Sequence, residues 1–144
     1  MVVWIFLAAL PSLMLVATTT QITQVIAPVP LLWIFPLVLY LITFILAFRG
    51  AGQSIFVPLA LLLSAGAAYY FTPPDSENVL PRLASYLALL FFCGLFCHAR
   101  LYSMRPAIGG LPFFYLLLSF GGMLGALLVS IIAPQAFPAF WEFP

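Results

Sequence analysis

Leu111-Pro112-Phe113-Phe114-Tyr115-Leu116-Leu117-Leu118-Ser119-Phe120-Gly121-Gly122-Met123-Leu124-Gly125-Ala126-Leu127-Leu128-Val129-Ser130-Ile131-Ile132-Ala133 carries no charged side chain. About 20 mostly apolar residues suffice for a helix to cross a bilayer, so this stretch predicts a membrane helix. The rest of the chain is of the same kind. It has 144 residues, 66% hydrophobic and 5% charged, where a soluble domain averages about 45–50% and about 25%. Only four basic and three acidic residues are present, and the four basic ones are all Arg. The mean hydropathy is +1.26. Such a chain cannot cover a water-facing surface. This composition excludes a soluble enzyme, a secreted disulfide scaffold, a disordered tail and a nucleic-acid binder, and it predicts an all-α integral membrane protein.

Working outward from 111–133, four more apolar runs predict helices over about 3–20, 31–48, 54–71 and 82–101. All five are long enough to cross, the second and third only just. The expected fold is a single transmembrane domain over 1–144, a compact bundle with an interfacial tail at 134–144. Both faces of every run are apolar, which excludes a membrane barrel. The start, Met1-Val2-Val3-Trp4, lacks the basic segment of a cleaved signal, so the first run is read as a permanent helix. The breaks are chemical. Pro28 and Pro30 precede the second helix. Arg49-Gly50-Ala51-Gly52-Gln53 turns the chain after it. Pro73-Pro74-Asp75-Ser76-Glu77-Asn78 and Arg105-Pro106 with Gly109-Gly110 mark the later loops.

Arginine sets the orientation. Five crossings put the N-terminus and the loops after helices 2 and 4 on one side, with Arg49, Arg100 and Arg105 and no acid. The other side has Arg82, Asp75, Glu77 and Glu142. The expected location is the bacterial plasma (inner) membrane, N-terminus cytoplasmic and C-terminus outside, with the three arginines as cytoplasmic anchors. Trp33, Tyr69, Tyr70 and Trp141 then fall at the outer interface, Trp4 and Tyr102 at the inner one.

Two stretches carry a resemblance. The first runs from Leu10-Pro11-Ser12 through Thr18-Thr19-Thr20-Gln21 to Pro30-Leu31-Leu32-Trp33-Ile34-Phe35-Pro36-Leu37 and Leu39-Tyr40-Leu41-Ile42-Thr43-Phe44. The second joins Cys97-His98, Met104-Arg105-Pro106, Phe114-Tyr115-Leu116, Ser119-Phe120-Gly121-Gly122-Met123-Leu124-Gly125, Ala133-Pro134 and Glu142-Phe143-Pro144. Together they resemble the membrane-spanning portion of fused spermidine synthase-like bacterial membrane proteins, over nearly the whole chain. The resemblance implies a many-helix membrane protein accompanied by an aminopropyltransferase-like domain. Neither that domain nor the family's upstream helices fall within these 144 residues, so none of its catalytic residues carries over. The family favours Asp where Val25 stands and Glu where Arg100 stands. A role of those acids toward a polar substrate is therefore not expected here.

Several residues invite a site. Cys93-Gly94-Leu95-Phe96-Cys97-His98 is one residue too long for covalent haem attachment, and one His is too few for a metal centre. Buried cysteines usually just pack, so Cys93 and Cys97 are expected between helices, with His98 at headgroup level. Gly121 and Gly125, with Gly122 and Ala126, form a small-residue face; Ala60, Ser64 and Ala68 form another. Such residues let helix backbones approach in lipid, within the chain or against another protein. Ala8 and Ala9 are read as a less specialised part of helix 1. Pro11 and Pro36 are expected to kink their helices. Thr18, Thr19, Thr20, Gln21, Thr23 and Gln24 are expected to cap the first helix and meet interfacial water. Asp75 and Glu77 read as a solvated turn.

No paired carboxylate, hydrolytic triad or phosphate-cradling glycine loop is present, so no catalytic residue, metal or cofactor is expected beyond a bound lipid or pigment. The expected function is a non-catalytic structural or accessory subunit of a larger membrane complex, acting by helix packing and lipid contact. Its partners would be membrane lipids and other membrane subunits, possible hosts being respiratory or photosynthetic complexes. Two alternatives stand beside it: a transporter-like module that works as an oligomer or with a partner half, and a membrane anchor or regulator of a separately encoded spermidine synthase-like enzyme.

Overall fold

The computed structural model describes residues 1–25, 31–50, 52, 54, 56–71 and 79–136. They form five helices: α1 Val2–Val25, α2 Ile34–Phe48, α3 Phe56–Phe71, α4 Val79–Ser103 and α5 Leu111–Ala136, with a 3-10 turn at Ile108–Gly110 before α5. No strand occurs among the described residues. The expected tail falls partly in α5; residues 137–144, Asp75, Glu77, Pro28 and Pro30 lie outside the described residues.

Prolines set three of the helix starts. Ile34-Phe35-Pro36, Phe56-Val57-Pro58 and Val79-Leu80-Pro81 each put proline third in its helix. A proline ring cannot bond the carbonyl four residues back and crowds it. Regular helix upstream of these points is therefore disfavoured. Before α2 the chain makes tighter i→i−3 bonds, Ile34 N–H to Leu31 O at 3.2 Å and Phe35 N–H to Leu32 O at 3.4 Å. Pro36 thus occupies the first turn of α2 rather than an interior kink, and Leu31–Trp33 form a turn rather than helix. Pro11 does lie inside α1, where it leaves the Leu7 carbonyl without its helical donor; the helix runs on unbroken.

These starts shorten α2 to 15 residues and α3 to 16, about 22–24 Å at 1.5 Å per residue. A hydrocarbon core is about 30 Å thick. Three helices, over Val2–Thr23, Leu80–Ser103 and Ile108–Ile131, are long and apolar enough to cross a membrane; α2 and α3 are apolar but short of that length. At its other end α1 continues past the expected Thr20 to Val25. Thr19 and Thr20 donate to the carbonyls of Leu15 and Val16, and Thr23 to those of Thr19 and Thr20. The threonines hydrogen-bond inside the helix instead of capping it.

α4 is the hub, packing against α1, α2 and α3; α5 packs on α1 and its own 3-10 turn, and α2 also touches α1. Ala47, Val57, Leu95 and Ala99 make one core cluster between α2, α3 and α4. Ala8, Leu101 and Phe114 make a second, with Trp4 against it. Trp4 and Phe114 meet edge to face at 5.2 Å, and Phe48 and Tyr102 at 5.5 Å. The starts of α1 and α5 and the ends of α2 and α4 therefore share one end of the bundle. The turn after α2 closes against that end. Gly50 and Gly52 have φ of +88° and +92°, a region that favours glycine. A Cβ on Gly52 would also come within 3.0 Å of Ala99 Cβ.

Candidate functional site

The chain's one histidine lies on α4 four residues after Gly94. Gly94 is where α2 comes close: a Cβ there would stand 2.9 Å from Thr43 Oγ1. This approach seats Thr43, fully buried, beside His98, which is 2% exposed. Thr43 Oγ1 is 2.7 Å from the Tyr40 carbonyl and 3.1 Å from His98 Nδ1. A carbonyl only accepts, so the single hydroxyl hydrogen goes to Tyr40. Thr43 must then accept from His98, and Nδ1 carries the hydrogen. The neutral ring is left with Nε2 as a bare acceptor. Tyr40 and Phe44 hold the imidazole edge to face, with centroids at 5.2 and 5.1 Å.

Nε2 has no partner among the described residues. No fully enclosed side-chain nitrogen or oxygen among them lacks a partner either, so Nε2 reaches open space. His98 lines a cavity of about 240 Å³ between α1, α2, α4 and α5. Tyr40 and Phe44 line it from α2, Tyr115, Leu118, Ser119 and Gly122 from α5, and Ala8 from α1. Ser119 donates to the Tyr115 carbonyl at 3.0 Å. The arrangement supplies one strong acceptor in a wall of rings and aliphatic groups, with no charged lining residue. It can hold a neutral donor; it has no paired acid and base.

His98 was expected at headgroup level. Within the bundle it is buried against α2. Its sequence neighbours do not join it in a site. Cys93 and Cys97 are both buried free thiols, one turn apart on α4. Among the described residues no group of three or more His, Cys, Asp or Glu could hold a metal. Thr43, Tyr40 and Tyr115 entered the sequence reading only within the stretches that carry the resemblance, and Gly94 only within the Cys93–His98 run; none was read there as a site residue. The available signal was the pair Gly94 and His98 at i, i+4, an opening beside a polar ring.

The small-residue faces lie elsewhere. Gly121 and Gly125 face the α1 backbone: a Cβ on Gly121 would lie 2.5 Å from Ile5 O, and one on Gly125 would overlap the Ala9 carbonyl. Gly122 faces Ser12, whose Oγ a Cβ would meet at 3.2 Å. Ala126 is half-buried on the same helix. This contact is internal to the chain. It overturns the reading of Ala8 and Ala9 as unspecialised, since both sit at the seam. Ser64 and Ala68 are buried and Ala60 half-buried on α3, whose packing partner is α4. Arg49, Arg100 and Arg105 are exposed at the end of the bundle where α2 and α4 finish, a position that suits cations at helix C-termini. Arg105 lies 4.1 Å over the Tyr102 ring and Arg100 5.7 Å over Phe96. Trp33, Tyr69 and Tyr70 are exposed at the opposite ends of α2 and α3. The side chains of Val25 and Gln24, and all of Trp141 and Glu142, lie outside the described residues.

No family model, curated protein or solved structure matches this chain.

Proposed function

We propose that the chain is a multi-pass protein of the bacterial plasma membrane, N-terminus cytoplasmic, and that it serves as a non-catalytic accessory subunit of a larger membrane complex. The observation that carries the reading is the unpartnered apolar surface of the bundle. Among the described residues α3 packs chiefly on α4, and α5 chiefly on α1 and the 3-10 turn, with Phe114 in one core cluster with Leu101 of α4. Their outer faces present Leu59, Leu62 and Leu63 on α3 and Phe113, Leu116, Phe120 and Leu127 on α5, all exposed. Lipid tails solvate such faces, and other helices pack on them. The three arginines at one end, with exposed aromatics at the other, match the positive-inside pattern and an interfacial belt.

The short α2 and α3 favour a partner over lipid alone. A helix shorter than the hydrocarbon core thins the bilayer or oligomerises, at fractions of a kcal/mol per Å. The test is purification of a tagged chain in mild detergent, with native mass spectrometry of the product. The expected result is a fixed stoichiometry with larger membrane proteins. A monomer carrying only lipid would overturn the subunit reading, and co-purification with a soluble transferase would replace it by the anchor reading.

A further inference from the structure

From the cavity geometry we infer that the space beside His98 is a binding site for a neutral aromatic alcohol, a phenol or hydroquinone ring whose hydroxyl donates to Nε2. Three observations converge. The first is the fixed tautomer: Thr43 takes the Nδ1 hydrogen and leaves Nε2 a bare acceptor on a ring 2% exposed. An acceptor turned to open space and not to a protein donor suits a molecule that donates a hydrogen bond.

The second is size. Each liquid water takes about 30 Å³, and a buried one needs two to four polar partners. A cavity of about 240 Å³ has room for several waters, but its walls are mostly rings and aliphatic groups. An apolar cavity of about 150 Å³ admits benzene. The space here takes one six-membered ring with small substituents. The third is lining chemistry. Tyr40, Phe44 and Tyr115 supply aromatic walls, and no lining residue is charged, which selects a neutral ring. Tyr40 and Tyr115 also bring phenol side chains to the lining, a chemistry that suits a second ring oxygen, as in a hydroquinone. The cavity opens to the surface of the bundle, so a tail on the ring has a way out.

Because the chain has a single histidine, ring-¹⁵N-histidine labelling reports this site alone. The protein in detergent micelles is titrated with 4-ethylphenol, with ethylbenzene as the same shape lacking the hydroxyl and 1-hexanol as a hydroxyl lacking the ring. The expected spectrum of the free protein has Nδ1 protonated and Nε2 not. 4-Ethylphenol is expected to shift the Nε2 resonance saturably, leaving Nδ1 protonated. Ethylbenzene and 1-hexanol are expected to produce less than a fifth of that shift. Leu118→Phe and Ser119→Leu each fill the space from α5 and keep His98; in whichever retains native helicity the response is expected to vanish. A hydrogen on Nε2 in the free protein, no response at saturating 4-ethylphenol, an equal response to either control, or a response that survives a folded filling variant each overturns the site. The readout is independent of membrane orientation and of any partner, so its failure is distinct from failure of the subunit reading.

Discussion

Gly121→Ala and Gly66→Ala make the same chemical change in two helices and are expected to have opposite signs. Alanine for glycine inside a helix gains about 0.5–1 kcal/mol from reduced backbone freedom. At Gly66, on α3, a Cβ meets nothing within 4 Å, so the gain stands alone. At Gly121 the new carbon lies 2.5 Å from Ile5 O and 3.0 Å from both Ile5 Cα and Ala8 Cβ. Restoring a contact of about 3.4 Å requires α1 and α5 to part by about 0.9 Å there. Two of the three obstructing atoms are backbone, so no rotamer change relieves the overlap. Overpacking of this kind costs about 1–3 kcal/mol, and a gap of 0.5–1 Å along the rest of the seam forfeits a quarter to a half of each dispersion contact. The net loss at Gly121 is about 0.5–2 kcal/mol, which places the two variants about 1–3 kcal/mol apart. At 1.4 kcal/mol per factor of ten, the folded-to-unfolded ratio differs about five- to a hundredfold. Reversible unfolding in mixed micelles with increasing SDS mole fraction, followed by circular dichroism, measures it. A Gly121→Ala protein as stable as Gly66→Ala would refute the close α1–α5 seam.

Thr43→Val keeps the side-chain shape and strips the acceptor from His98 Nδ1. An expected loss of about 1–3 kcal/mol is read in the same unfolding assay, with Thr43→Ser losing less. Gly94→Ala pushes against Thr43 Oγ1 from 2.9 Å and is expected to destabilise by a similar amount; a neutral Gly94→Ala would count against the α2–α4 approach. For orientation, single cysteines at positions 51 and 76, introduced after Cys93→Ala and Cys97→Ala, are expected to label from the cytoplasm and from outside respectively; the reverse pattern would invert the topology. Haem staining after denaturing electrophoresis is expected to be blank, and a stained band would mean that Cys93 and Cys97 were misread.

The helices were legible because each apolar run is bounded by proline, glycine or charge, and the 111–133 run begins at Leu111 as expected. Their limits were less legible. A proline two residues after a helix start looks in sequence like a proline inside an apolar run, and Pro36 was read that way. The threonines after Val16 look like a cap until their hydroxyls are seen returning to α1 carbonyls. Gly121 and Gly125 advertise a close approach, but not its target; the matching signal on α1 was the small pair Ala8 and Ser12 at i, i+4. The His98 site was hidden for a different reason. Position along α4 was readable, while the face His98 presents depends on α2, whose Thr43 lies 55 residues earlier. Only packing brings such partners together.

The unequal helix lengths have a mechanical consequence. α2 and α3 flank α4 with about 22–24 Å of helix, while the apolar stretches of α1, α4 and α5 extend over about 33–36 Å. In the bilayer setting proposed here the protein is a step rather than a cylinder, and surrounding lipid must compress on one flank only. That dimple carries an elastic energy proportional to its perimeter. Neighbours that also prefer a thin membrane share the rim and are drawn to the α2–α3 side without any specific contact, while long-helix proteins are held at a distance. In that setting, acyl-chain length in the host membrane would bear on which proteins collect beside this one.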